Sequence, residues 1–195
     1  MNTNSVIHKN AKIAENVEIG PFCVIGPNVT IKDHCKIHSN VVLDGEIEID
    51  RNVEIFPFAS IGTIPQDLKY KGEKTKVFIG KDCKIREYVT INLGTSGGGG
   101  VTKVGNNCLL MVGTHIAHDC IIGNNVIFAN HSTLAGHVII ENNVVVGALS
   151  AIHQFSRIGE GAMIGGMTGV TADVIPFSTV MGNRANLCGL NLIGL

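Results

Sequence analysis

Residues 13–26 read Ile13-Ala14-Glu15-Asn16-Val17-Glu18-Ile19-Gly20-Pro21-Phe22-Cys23-Val24-Ile25-Gly26. An isoleucine returns every six positions, and a small or β-branched residue follows each one by four. Extended outward, the first register runs Ile7, Ile13, Ile19, Ile25, Ile31, Ile37, Leu43, Ile49, Ile55 and Ile61. It lapses, resumes at Ile79, Ile85 and Ile91, lapses again, and then runs from Val104 through Ile116, Phe128, Ile140 and Ile152 to Val170. The second register holds Ala11, Val17, Cys23, Val29, Cys35 and Val41, and later Cys108, Thr114, Cys120, Val126 and Ser132. A repeat of this kind decides the architecture before any local propensity does.

A period of six does not suit an amphipathic helix, whose apolar residues recur at steps of three and four. It suits a short strand followed by a corner. Gly and Asn crowd the corners, as in Gly105-Asn106-Asn107 and Gly123-Asn124-Asn125, because both accept positive φ. One large and one small inward residue per hexad can fill a narrow prism. Successive coils then stack at the inter-strand spacing, and most stability comes from neighbouring coils. The expected fold is all-β, a parallel β-helix with two inserted loops.

The 195 residues carry 15 Lys and Arg against 16 Asp and Glu, so no basic surface argues for nucleic acid. No apolar run reaches the length of a membrane span. Met1-Asn2-Thr3-Asn4-Ser5 lacks the features of a signal peptide, and we expect a cytoplasmic protein. Cys23, Cys35, Cys83, Cys108 and Cys120 all fall in the small inward slot and read as buried free thiols rather than disulfides or ligands. Cys188 lies outside the phase. Charge is abundant over residues 30–54, whereas residues 120–156 contain only Glu141. A neutral polar surface would explain this, but interface cores are also poor in charge, and we expect subunit contact there.

The phase fails over residues 63–78 and 92–103. Insertions in solenoids form loops that often carry function. Gly97-Gly98-Gly99-Gly100 lacks the Lys-Ser/Thr of a phosphate-binding loop and reads as a flexible loop over a site. Three hexads per coil give eighteen residues, and stepping by eighteen from His118 reaches Gly136 and then Gln154. His118, Gly136-His137 and His153-Gln154 therefore share one corner on successive coils. His8, His34 and His38 read as surface residues.

Three readings of this corner compete. Its groups could be polar filling at an interface. Three histidines could hold zinc, as in gamma-class carbonic anhydrases, but the His-x4-His pair of that class is missing here, and we expect no metal and no cofactor. One histidine could take a proton from a substrate hydroxyl, with Asp119 beside His118 to fix its tautomer.

The segment Thr114-His115-Ile116-Ala117-His118-Asp119-Cys120 resembles the catalytic segment of the UDP-N-acetylglucosamine O-acyltransferases, hexapeptide-repeat enzymes that open lipid A biosynthesis. Leu134-Ala135-Gly136-His137-Val138, Ala151-Ile152-His153-Gln154-Phe155, Gln66-Asp67-Leu68-Lys69-Tyr70 and Ile85-Arg86-Glu87-Tyr88-Val89-Thr90-Ile91 match in the same order, so the resemblance covers essentially the whole chain. It implies a left-handed coil and a homotrimer with its sites between subunits. It also implies transfer of a (3R)-3-hydroxyacyl group from acyl carrier protein to the 3-hydroxyl of UDP-N-acetylglucosamine. His118 is then the general base, Asp119 its support, and the Gly136 N–H the oxyanion donor. Asp67, Lys69, His115, His137, His153, Gln154 and Asn191 contact substrate, and Gly166 with Met163 limits the acyl chain.

Two departures accompany it. Asn92-Leu93-Gly94-Thr95 stands where the family has His-Arg-Gly-Thr. The family continues into a basic helical region, so residues 1–181 are expected to form the β-helix and 182–195 the start of a truncated C-terminal region. A related UDP-sugar N-acyltransferase and a scaffold of reduced activity are the alternatives.

Overall fold

The computed structural model describes residues 4–192. The first three residues of the segment read as lacking a signal peptide, and the last three of the C-terminal stub, lie outside the described residues.

The chain winds into a three-sided prism. One face has nine strands, from Val6–Ile7 to Gly169–Val170; the second has eight, from Lys12–Ile13 to Arg157–Ile158; the third has ten, from Glu18–Ile19 to Asn186–Leu190. Up to Ser178–Met181, consecutive strands go to different faces, and strands on one face pair in parallel with the coil before and after. Val24 pairs with Val42, and Leu109 with Ile127, eighteen positions on in each case. The fold is thus the left-handed parallel β-helix expected. Many strands are only two residues long. Such strands carry little of the twist that makes longer parallel crossovers right-handed.

Both registers point inward. From Ile25 onward the large anchors are buried, with Phe128 the largest fully enclosed side chain. Cys23, Cys35, Cys83, Cys108 and Cys120 are buried and unbridged, while Cys188 is exposed. Burial pushes the Cys120 thiol up to about 12, which keeps it protonated and inert. The corners use positive φ, at Asn107, Asn125 and Asn143 along one edge. Asn side chains also tie coils together there: Asn124 Oδ1 accepts from Asn106 N at 2.8 Å, and Asn142 Oδ1 from Asn124 N at 2.8 Å.

Both insertions leave the prism at the corner between the first and second faces. Ile61 pairs with Ile91 thirty positions on, twelve more than a coil needs; Ile91 pairs with Ile116 twenty-five on, seven more. The loops prove shorter than expected, 64–75 and 93–100. The flanks read as loop are strands, because Lys76–Ile79 pairs with both Glu46–Ile49 and Val101–Val104.

The outward row of the first face, from Val6 to Gly169, contains no charged residue. On the third face it changes from Glu18, Lys36, Glu54 and Lys84 to Leu109, Ile127, Val145 and Met163. At the end of the prism Asn186–Leu190 turns back antiparallel on Ser178–Met181. Among the described residues, no helix is long and apolar enough to cross a membrane.

Candidate active site

The corner that releases the two loops carries His118 one coil later, then Gly136, then Gln154. His137 N donates to His118 O at 3.0 Å and Phe155 N to Gly136 O at 3.2 Å, which locks the coils in this register. Asp119, His137 and Phe155 occupy the left-handed position of the three corners, with φ of 60°, 63° and 66°. That conformation aims their side chains together. His137 stacks on Phe155 with centroids 4.5 Å apart and meets the His118 ring edge-on at 4.9 Å.

Asp119 is 4% exposed. Its Oδ2 lies 2.8 Å from His118 Nδ1 and also accepts from Thr95 Oγ1 at 2.6 Å, while its Oδ1 accepts from Thr95 N at 2.8 Å. Asp119 N in turn donates to Thr102 Oγ1 at 2.8 Å. A carboxylate only accepts, so this bond puts the imidazole proton on Nδ1 and leaves Nε2 as the basic atom. Sequence reasoning missed Thr95 and Thr102; a loop hydroxyl twenty-four positions from its partner leaves no periodic trace.

Gly136 lies against the basic edge of the ring. A Cβ added there would stand 2.5 Å from His118 Cε1 and 2.6 Å from Nε2. Gly98, in the second loop, lies closer still to the Asp119 carboxylate, where an added Cβ would stand 2.0 Å from Cγ. The loop read as flexible is a pinned turn, with Ser96–Gly98 in one 3-10 turn and Thr95 bound to Asp119.

Two cavities flank His118. A polar cleft of about 350 Å³ is lined by Asp67, Lys69, Glu73, Thr95, His137 and Phe155, among others. Asp67 Oδ1 accepts from Lys69 N at 2.9 Å, a local turn that sets both residues at its mouth. An apolar groove of about 480 Å³ runs along the first face between His115, Ala135, Ile152 and His153. His118 is among the lining residues of neither; its side chain, 14% exposed, lies beside His137 of the cleft and next in sequence to Ala117 of the groove. His115 Nδ1 is 2.7 Å from Thr90 Oγ1, and burial holds its pKa below the usual histidine value. Gln154 is exposed beneath Gly136, and exposed His153 faces the groove.

Gly166, Met163 and Asn191 are not brought to this corner within one chain. Gly166 sits at the corner between the third and first faces, where an added Cβ meets only Ala148 O at 3.4 Å and Ala148 N at 3.9 Å. Met163 and Asn191 line a cavity of about 730 Å³ on the third face. His38, read as a surface residue, is half-buried, 2.9 Å from Glu54 and stacked on Phe56. Asn92 is buried, and its Nδ2 donates to Thr63 Oγ1 at 3.1 Å and Ile64 O at 3.3 Å. Its Oδ1 has no partner among the described residues.

His118, Asp119 and His137 offer ligand atoms within 4.8 Å of one another. Both Asp119 oxygens already accept from protein donors, which suits a base–orienter pair better than a ligand set.

The coils and this corner define a hexapeptide-repeat transferase: the model described as "Bacterial transferase hexapeptide (six repeats)" matches residues 3–33, 10–45 and 102–136. The acyl-[acyl-carrier-protein]–UDP-N-acetylglucosamine O-acyltransferase of Azorhizobium caulinodans is 54% identical over 185 residues, covering 95% of this chain and 68% of its own. That of Paracoccus denitrificans is 54% identical over 141 residues, covering 72% of this chain and 54% of its own. The solved structure of LpxA from Acinetobacter baumannii superposes with a TM-score of 0.97 at 48% identity, over 100% of this chain and 75% of that one. The chain belongs to the family of acyl-[acyl-carrier-protein]–UDP-N-acetylglucosamine O-acyltransferases.

Proposed function

We propose that the chain transfers a 3-hydroxyacyl group from acyl carrier protein to the 3-hydroxyl of UDP-N-acetylglucosamine, at the entry to lipid A biosynthesis. The observation that carries this is the His118–Asp119 pair with Gly136 against the basic edge of its ring, beside residues that line a polar cleft and an apolar groove. A sugar hydroxyl attacks a thioester only if a base takes its proton. His118 Nε2 takes it, and Asp119 steadies the imidazolium that forms. The Gly136 N–H, which meets no acceptor among the described residues, receives the tetrahedral oxyanion. The proton passes to the departing carrier thiol, and no acyl-enzyme forms.

Asp67 and Lys69 hold the nucleotide sugar or the acyl 3-hydroxyl at the cleft. His115, His137, His153 and Gln154 complete the substrate contacts, and the groove takes the acyl chain. The working unit is a homotrimer. The uncharged first face and the apolar half of the third face supply its contacts. A neighbouring subunit then brings Gly166, Met163 and Asn191 to a site that one chain leaves incomplete. Residues 1–181 form the acyltransferase β-helix, and 182–195 open the region that follows. A cytoplasmic location fits both substrates.

Purified protein given UDP-N-acetylglucosamine and 3-hydroxyacyl carrier protein forms the 3-O-acyl product. His118→Ala lowers kcat by about 10²–10⁴-fold, the usual share of a general base. Sedimentation gives three times the 20.7 kDa chain mass. Acylation of an amino sugar instead favours the N-acyltransferase reading. Stoichiometric zinc on His118, Asp119 and His137 overturns the base assignment.

A further inference from the structure

Glu73 belongs to the first inserted loop and reaches the second. Its Oε1 accepts from Ser96 N at 3.1 Å and Ser96 Oγ at 3.2 Å. Its Oε2 accepts from Lys71 N at 2.8 Å, within its own loop. Tyr70, whose N–H is bonded to Asp67 O at 3.0 Å, donates its hydroxyl to Glu73 O at 3.2 Å. Ser96 is next to Thr95, the residue that holds both oxygens of Asp119. One chain of contacts therefore runs from Asp67 at the mouth of the cleft, through Tyr70, Glu73, Ser96 and Thr95, to the His118–Asp119 pair. Glu73, Thr95 and Ser96 all line the cleft. The Lys71, Glu73 and Ser96 backbone donors, in that order, hold the Glu73 carboxyl at about 2, so it stays an acceptor at neutral pH.

We propose that Glu73 is a positioning residue that fastens the loop 64–75 to the loop 93–100 and so builds the nucleotide-sugar cleft before substrate arrives. Leu93 anchors the second loop in the prism core, but Leu68 and Ile64 of the first loop are exposed. The contact between the loops therefore depends on a few polar bonds, and the Glu73 carboxylate makes two of them, both to Ser96. Without it the cleft must be ordered at the moment of binding, and the ordering is drawn from binding energy. Thr95 still holds Asp119, so chemistry in the filled site is unaffected. The signature is a rise in KM for the sugar nucleotide without a matching loss of kcat.

The naming of the substrate rests on the acyltransferase reading; the loop clasp does not. The test uses the full chain with Glu73→Ala, Ser96→Ala and the double variant; Glu73→Gln, whose amide oxygen can still accept from Ser96, serves as the conservative control. In Glu73→Ala, amide exchange of loop segments 64–75 and 93–100 rises about tenfold, while the strands keep their protection; in Glu73→Gln the loops keep most of theirs. KM for UDP-N-acetylglucosamine rises about five- to tenfold in Glu73→Ala and kcat stays within about twofold. Ser96→Ala adds little in the Glu73→Ala background, because both act through one contact. Unchanged loop exchange, a fall in kcat at constant KM, or effects of the two substitutions that simply add overturns the proposal. If the wild-type protein shows no turnover, the acyltransferase reading fails, and the exchange measurement still decides the clasp.

Discussion

At the scale of single residues, the site depends on how little room surrounds the His118 ring. Gly136 is required by what it lacks, since a methyl there would overlap Cε1 and Nε2. Gly136→Ala should lower kcat by about 10²-fold or more, comparable to loss of an oxyanion donor, with a melting temperature close to wild type; steady-state kinetics beside a thermal melt measures both. His118, Gly136 and Gln154 were legible in the sequence because corner residues stack at a fixed step of eighteen. Glu73 and Thr95 were not, since they lie in insertions of twelve and seven extra residues, respectively, that break the count. Gly166, Met163 and Asn191 were named by resemblance, and nothing within one chain gathers them at His118. His115 adds a pH dependence. Burial lowers its folded-state pKa, so the unfolded chain binds the proton first as pH falls. Stability should decline from about pH 6.5, the unfolded value, until the lower native pKa is passed, then level off for this group. His115→Gln should make the fall in melting temperature between pH 7 and 5 shallower; an equal slope in both proteins sinks this assignment.

At the scale of strands and coils, position along the prism sets the cost of a substitution. Ile7 is 42% exposed and Ile13 and Ile19 are partly buried, while Ile49 is fully enclosed between coils on both sides. Ile49→Ala should cost about 2–5 kcal/mol, and Ile13→Ala roughly half of that or less, because its coil has a neighbour on one side only. Denaturant melts of the two variants make the comparison. The anchors made the strands legible, and the slot four residues on predicted five buried cysteines correctly. The loop boundaries were misjudged because Lys76–Ile79 and Val101–Val104 keep alternate residues inward, Val77 with Ile79 and Thr102 with Val104. Thr102 sits there as a buried hydroxyl, which apolar periodicity does not register.

At the scale of the whole molecule, three faces share one winding but carry different surfaces. The first is uncharged throughout, the third becomes apolar halfway, and the second keeps Lys12, Glu48, Lys103 and Arg157 facing outward. The reversal at Asn186–Leu190 bears on how such an object behaves in concentrated solution. A stack that stops on a parallel edge is a template, and the open first coil of another molecule could add to it in the same sense and repeat indefinitely. On the third face the antiparallel strand presents hydrogen-bonding groups in the wrong polarity for that addition. A variant of this chain lacking residues 182–195 should therefore scatter more light with rising concentration than the chain that keeps the hairpin; equal scattering overturns the idea. Among the described residues, the hairpin closes that edge on the third face.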